Sequence, residues 1–218
     1  MTPSTSRLSL DPASASFEEL TPAAEVLLGG GLIAGPTQSF YALMALADKA
    51  EALERLSSLK AGRSTDQAFL LLIDQKARAL SYAREMSEAA EKLMEAFWPG
   101  PLTLLMAGHT GLHPLLLGRG KTVGIRMEGL EVIRRLIRMV DRGVTGTSAN
   151  PHGGRPPTTA GEVLEHFEGK IDLIIDAGPT KGGRSSTIVD VSGPEIWIFR
   201  QGAVPADEIR EVCPAVMI

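Results

Sequence analysis

The sequence predicts a mixed α/β fold: a single domain over residues 1–218, built on a twisted sheet of parallel and antiparallel strands with flanking helices. Short apolar runs bounded by polar residues or glycine are interspersed with segments whose apolar positions recur every three to four residues, which sets strands among helices. The last two strand segments, Thr187 to Val191 and Glu195 to Arg200, are separated only by Ser192-Gly193-Pro194 and can pair as a hairpin, so the sheet is not purely parallel. At 218 residues, 44% of them hydrophobic, roughly 70% of the unfolded chain's surface can be buried, and the core needs neither disulfide nor metal.

Residues 1–20 read as a loose, polar N-terminal arm. Thr21 with Pro22 predicts an N-cap and first-turn proline for a helix from Ala23 to Leu28, which must stop at Gly29-Gly30-Gly31. A strand from Leu32 to Gly35 follows. Asp48 can cap a helix carrying Leu53, Leu56 and Leu59, and the run Ala68 to Ile73 is short and continuous enough to be a strand buried on both faces. From Gln75 to Trp98 the pattern Ala79, Tyr82, Met86, Ala90, Leu93, Phe97 predicts one long amphipathic helix, ended by Pro99-Gly100-Pro101. Strands are expected at Leu102 to Met106 and Thr122 to Met127, a helix at Leu130 to Val140 and one short strand at Val144 to Thr147. Thr159-Ala160-Gly161-Glu162 has the form of a capping box opening a helix toward Phe167, and Ile171 to Asp176 reads as a strand ahead of the hairpin.

Composition narrows the function. The longest uninterrupted apolar run, Ala68 to Ile73, is far short of the roughly 20 residues of a membrane span. A polar, Ser/Thr-rich N-terminus with no apolar stretch behind it, and a single cysteine, Cys213, point to a cytoplasmic protein without disulfides. With 22 Lys and Arg against 26 Asp and Glu, the formal charge is −4, so any polyanion must be held by a local basic site. Gly120-Lys121-Thr122 ends like a P-loop, but Leu115 stands where the first glycine is required. His109 and His113 lack a third ligand at metal spacing, and no metal site is predicted.

Four polar segments at strand edges could carry chemistry. Gly35-Pro36-Thr37-Gln38-Ser39-Phe40-Tyr41 is either a Ser/Thr turn or a ligand-facing strand exit. Lys60-Ala61-Gly62-Arg63-Ser64 either satisfies helix-end carbonyls or neutralises a phosphate. Val144-Thr145-Gly146-Thr147-Ser148-Ala149-Asn150-Pro151 either initiates a turn at Asn150-Pro151 or, with little bulk to keep a ligand from the backbone, receives one, and Gly182-Gly183-Arg184-Ser185-Ser186-Thr187 has the composition of an anion-binding concavity. Jointly they favour a phosphate-bearing ligand.

In order, these segments resemble the Sua5/YciO/YrdC family. The resemblance runs from about Gly29 to Val204, on Gly31-Leu32-Ile33-Ala34-Gly35-Pro36-Thr37, Phe97-Trp98-Pro99-Gly100-Pro101-Leu102-Thr103, Val123-Gly124-Ile125-Arg126, Thr147-Ser148-Ala149-Asn150-Pro151, Asp172-Leu173-Ile174-Ile175-Asp176-Ala177-Gly178-Pro179, Ser186-Thr187-Ile188-Val189-Asp190 and Arg200-Gln201-Gly202-Ala203. It implies a YrdC-like sheet with a concave ligand-binding face, and L-threonylcarbamoyladenylate synthesis from ATP, L-threonine and bicarbonate for tRNA modification. Magnesium would accompany the ATP. Tied to the same resemblance are Lys60 and Arg63 as catalytic cations, Thr147, Ser148, Asn150, Ser186 and Arg200 at the nucleotide, and Thr37 and Arg126 on the amino-acid side. Arg126 has a second reading, a structural ion pair at a strand end.

Lys60 and Arg63 are two residues apart where the family pattern has one, Ser64 replaces its proline, and Gln38-Ser39-Phe40-Tyr41-Ala42 stands where Asp-Thr-Val-Tyr-Gly is usual. A YciO-like member that binds nucleotide or RNA with little synthase activity is therefore a second expectation. A carbamoyl-transfer relative is a third, less favoured without attached acylphosphatase or zinc-finger sequence. The chain ends soon after Arg200-Gln201-Gly202, so the type lacking the C-terminal domain of longer Sua5 proteins is expected. Possible partners are tRNA or double-stranded RNA and tRNA-modification proteins; no membrane is implied.

Overall fold

The computed structural model describes residues 4–62 and 67–217. Strand β1 (Ser6–Ser9) precedes helix α1 (Phe17–Leu28) and a hairpin of β2 (Ile33–Pro36) and β3 (Tyr41–Met44). Helix α2 (Ala50–Leu59), strand β4 (Leu71–Ile73), helix α3 (Glu88–Phe97), strands β5 (Leu102–Ala107) and β6 (Thr122–Met127) and helix α4 (Glu131–Val140) follow. Two-residue strands β7 (Val144–Thr145) and β8 (Thr147–Ser148) lead into α5 (Ala160–Phe167), β9 (Leu173–Asp176), β10 (Thr187–Asp190), β11 (Ile196–Arg200), α6 (Ala206–Val212) and β12 (Val216–Met217).

The mixed α/β class is as expected, but the strands divide between two mixed sheets, ordered β1-β9-β2-β3-β8 and β12-β11-β10-β5-β6-β4-β7. The expected hairpin of β10 and β11 is antiparallel, while β10 runs parallel to β5. Strand β4 lies between β6 and β7 with all three residues buried, as its continuous apolar run predicts. The segment expected as one strand, Val144 to Thr147, is two: β7 joins β4 in the larger sheet and β8 joins β3 in the smaller. Gly146 makes the switch. Its N–H donates to the Leu70 carbonyl at 2.9 Å, and a Cβ there would stand 2.7 Å from Leu72 Cγ, so no side chain fits at the crossing. Residues 147–150 are thereby delivered to the seam between the sheets.

Side-chain alternation puts the β2–β3 hairpin between two apolar clusters. Ile33, Ala42 and Met44 pack with Leu20 and Leu27 of α1 and Ile133 and Leu136 of α4. Ala34, Tyr41 and Leu43 face the other way, into a cluster that includes Leu53 and Leu56 of α2, Leu93 of α3, Trp98, and Leu104 of β5. Cys213 is a buried free thiol, the packed side chain expected of it.

Several sequence expectations need correction. The N-terminal arm carries β1, which pairs parallel with β9, and the start of α1. That helix begins at Phe17, six residues before the expected Ala23, because Ser16, not Thr21, caps it: Glu19 N–H donates to Ser16 Oγ at 3.2 Å and Ser16 N–H to Glu19 Oε2 at 2.8 Å. Pro22 sits inside the helix, where this reciprocal cap and the burial of Leu20, Ala23, Ala24 and Leu27 offset one lost backbone bond. Ser16→Ala is expected to cost about 1 kcal/mol; an unchanged urea midpoint would show that the cap contributes nothing.

Lys49 rather than Asp48 precedes α2, and Asp48 pairs instead with Arg142 at 2.7 Å. The long helix from Gln75 is interrupted: Lys76–Ser81 is 3₁₀, and α3 starts at Glu88 with Ser87 Oγ accepting from Ala90 N–H at 3.2 Å. Tertiary bonds hold the break, since Arg84 N–H donates to the Ala107 carbonyl at 2.8 Å and Gly143 N–H to the Tyr82 hydroxyl at 2.6 Å. Among the described residues no helix is long and apolar enough to cross a membrane.

Candidate functional site

Both sheets contribute walls to a cleft of about 720 Å³. The smaller sheet supplies β3, β8 and the turn between β2 and β3; the larger supplies β5, β6, β10 and β11. Thr37, Lys60, Arg126, Thr147, Ser148, Asn150, Ser186 and Arg200 all line it, although they are spread over more than 160 positions of sequence. Arg63 lies outside the described residues.

Thr147 and Ser148 reach the cleft because β8 pairs with β3, in the register Leu43 to Thr147 and Ala42 to Ser148. Asn150 is buried, and its Nδ2 donates to the carbonyls of Pro151 at 2.8 Å and Gly154 at 2.7 Å. Its Oδ1 is also buried and has no hydrogen-bond partner. A buried amide oxygen without a donor costs about 1–3 kcal/mol, which a donor from a ligand in the cleft would recover.

Lys60 caps α2 and is 5% exposed. Its sequence context fits either capping of its own helix or holding a phosphate. Its Nζ donates to the carbonyls of Ser148 at 2.9 Å and Asn150 at 2.5 Å, so the buried ammonium braces the 148–150 segment from behind. Thr37 closes its turn, with backbone N–H and hydroxyl both donating to the Phe40 carbonyl, at 2.9 and 2.7 Å.

Ser186, 2% exposed, shares a hydrogen bond with Thr103 at 2.8 Å between hydroxyl oxygens. Arg200 Nη2 donates to the Ser186 carbonyl at 2.8 Å and to its hydroxyl at 3.3 Å, and Arg200 forms no ion pair among the described residues. Desolvation, and then the nearby Arg126 cation, push Arg200 below the ordinary arginine value. Arg126 is paired: Nη2 meets Glu128 Oε2 at 2.6 Å, the two side chains 8% and 0% exposed, which realises the structural reading of this arginine. Its Nε is nonetheless buried and unpartnered. Lys60, Arg119, Arg126 and Arg200 face the cleft against one carboxylate, Asp190, so the site is locally cationic on a chain of formal charge −4.

Thr103, Phe199 and Tyr41 also line the cleft, although the sequence assigns none of them an individual role. Thr103 lies where the Pro99-Gly100-Pro101 break passes into β5, a segment whose sequence marks a strand start but no ligand contact. Phe199, 71% exposed, and the exposed Trp197 stand two residues apart on one face of β11, as its period-2 alternation requires. Tyr41 donates its hydroxyl to the Gly178 carbonyl at 2.7 Å, and burial pushes its phenol up to about 12. No local signal connects Tyr41 with a residue so distant in sequence.

Two mixed sheets meeting around a polar, cationic cleft define an α/β protein suited to an anionic small molecule. The chain belongs to the Sua5/YciO/YrdC family, whose model, described as telomere recombination, matches residues 25–202. It is 36% identical over 196 residues to a threonylcarbamoyl-AMP synthase of Pyrococcus abyssi, covering 90% of this chain and 57% of that protein. To the threonylcarbamoyl-AMP synthase of Bacillus subtilis it is 30% identical, over 93% of this chain and 58% of the other. The chain thus spans a little under three fifths of the length of these curated relatives. The crystal structure of P. abyssi Sua5 complexed with L-threonine superposes with a TM-score of 0.89 at 32% identity, covering 98% of this chain and 62% of that one. Escherichia coli YciO shares the fold, with a TM-score of 0.86 at 23% identity over 94% of this chain and 99% of that one.

Proposed function

We propose that the protein is an L-threonylcarbamoyladenylate synthase, a nucleotidyltransferase forming threonylcarbamoyl-AMP and pyrophosphate from ATP, L-threonine and bicarbonate for tRNA modification in the cytoplasm. Residues 1–218 act as one YrdC-like domain with the cleft as its concave ligand face. The observation that carries this reading is the buried, unpartnered Oδ1 of Asn150 on the wall of a cationic cleft. Its family membership and the names of its relatives supply the chemistry.

In this reaction the threonine amine takes up bicarbonate-derived carbon as a carbamate, losing water, and a carbamate oxygen attacks the α-phosphorus of ATP as pyrophosphate leaves. No side chain need act as a nucleophile. Catalysis comes from positioning and from charge that meets charge as it develops. Arg200, with Ser186 and Thr103 beneath it, faces phosphate; Ser148, Thr147 and Asn150 face phosphate or ribose; Lys60 holds their segment, and Arg63 adds a second catalytic cation. Thr37 and Arg126 serve the amino-acid side, Arg126 toward the carboxylate. Magnesium would enter on the triphosphate. Among the described residues no group of three His, Cys, Asp or Glu side chains converges, so Mg²⁺ would arrive with the phosphate oxygens and water, and Asp190 on the cleft wall would be the carboxylate to hold it.

Pyrophosphate release measured with and without L-threonine tests the reading; turnover indifferent to threonine would overturn it. Ser148→Ala combined with Asn150→Ala is expected to weaken MgATP binding by about 1–3 kcal/mol for each lost polar contact. Unchanged calorimetric affinity in the folded double variant would remove the nucleotide from this wall. One observation favours the second reading, a YciO-like protein that binds nucleotide or RNA: the Lys60 ammonium is engaged by the protein's own carbonyls. ATP binding without threonine-dependent turnover would establish it.

A further inference from the structure

We propose that Glu128 is a positioning residue for the substrate carboxylate, orienting Arg126 and the Thr37–Gln38 turn on one side of the cleft. The inference rests on the synthase reading and deepens it by naming what sets its amino-acid subsite.

Glu128 follows β6 directly and has no exposed surface, so its carboxylate must be satisfied from within. Oε2 accepts from Arg126 Nη2 at 2.6 Å. Oε1 accepts the backbone N–H of Gln38, in the turn between β2 and β3, at 3.1 Å, and that of Leu130, where α4 begins, also at 3.1 Å. One carboxylate therefore joins a turn of the smaller sheet to a strand of the larger, and the two groups it joins, Thr37 with its turn and Arg126, both line the cleft. The Gln38 side chain lies over Gly129, where a Cβ would stand 2.4 Å from its Oε1.

A pair that served folding alone would leave the arginine with nothing to offer. Arg126 is held at one nitrogen, and its buried Nε has no partner. A guanidinium is planar with five donors, so pinning one corner on Glu128 sets the plane and leaves other N–H groups directed for a second, bidentate partner. The partner chemistry that fits is a carboxylate, and for this reaction the α-carboxylate of an amino acid.

Glu128→Asp is the discriminating variant, because it keeps the charge beside Arg126 and withdraws one methylene of reach, so the carboxylate cannot hold both the arginine and the turn. The KM for L-threonine is expected to rise about tenfold, equivalent to about 1.4 kcal/mol, with the KM for ATP little changed. Preference for L-threonine over L-threoninol, which lacks the carboxylate, should fall by the same factor. If both KM values move together, or if the preference over threoninol is retained, Glu128 serves folding alone and the inference is overturned. Should the variant not fold, the wild type decides. The Arg126 Nε–H and Gln38 amide resonances are expected to shift together on titration with L-threonine and to stay in place with L-threoninol, and threonine binding that moves neither overturns the inference. Wild-type protein that neither binds L-threonine nor responds to it in pyrophosphate release overturns the synthase reading itself, whereas threonine-dependent turnover with an unmoved variant overturns only the role of Glu128.

Discussion

Lys60→Met is expected to lower threonine-dependent pyrophosphate release by about 100-fold or more, a loss of roughly 3 kcal/mol of transition-state stabilisation. Methionine retains the apolar stem of a side chain that is 5% exposed, and removes the ammonium that donates to the Ser148 and Asn150 carbonyls. Two effects add. The cationic field at the cleft falls by one charge, and the 148–150 segment, which carries Ser148 and the unpartnered Asn150 oxygen, loses its brace. Lys60→Arg should not restore the rate, because a planar fork does not occupy a buried site formed around a single ammonium. A folded Lys60→Met protein turning over at the wild-type rate would show that the charge of this lysine is not used. Measuring ATP affinity in the same variant separates loss of nucleotide from loss of chemistry.

The largest stability effect is expected at Gly202. A Cβ built there would lie 2.3 Å from the Ser185 carbonyl oxygen and 2.5 Å from both the carbon and the oxygen of the Ser186 carbonyl, all of them backbone atoms that no rotamer change can move aside. Nor can the segment back away. Gly202 and Val204 both donate N–H to Thr187 Oγ1, each at 3.0 Å, and that hydroxyl donates to the Val204 carbonyl at 2.7 Å. Gly202→Ala must therefore break this knot or displace the start of β10, and about 3 kcal/mol of destabilisation is expected, lowering the melting temperature by roughly 6–12 °C for a chain of this size. Because Ser186 and its partner Arg200 move with the displaced backbone, ATP affinity should fall as well. A melting temperature unchanged by the substitution would mean that the close approach is not maintained in solution.

Local physical chemistry determined a good part of this protein from sequence alone. Glycine and proline punctuation, period-2 and period-3.6 apolar patterns and the Thr159 capping box depend on neighbours within a few residues, and they located α4, α5, β5, β6 and the β10–β11 hairpin. The ordered motifs identified the family, and all the expected site residues that are described converge on one cleft. The misplaced elements are those in which a distant partner outweighed the local pattern. The apolar period from Gln75 to Trp98 is real, yet Tyr82 and Arg84 bond to Gly143 and Ala107, and Ser87 restarts the helix. The polar arm contains β1 because the open edge of β9 offers it a ladder. In α1 the Ser16–Glu19 capping box, a local signal, outweighs the proline at Pro22 and starts the helix earlier.

Tertiary structure alone decided the division into two sheets, since what requires Gly146 to be small is Leu72, on a neighbouring strand far away in sequence. It alone decided the engagement of each cation. Sequence can name Lys60 and Arg126 as charges, but whether a charge is spent on the protein or offered to a ligand depends on which carbonyls and carboxylates folding brings within about 3 Å. Those partners lie 88 and 90 residues from Lys60 for Ser148 and Asn150, and 90 residues separate Glu128 from the Gln38 amide it holds. Local propensity carries no information over such separations, because only the packed chain sets those distances.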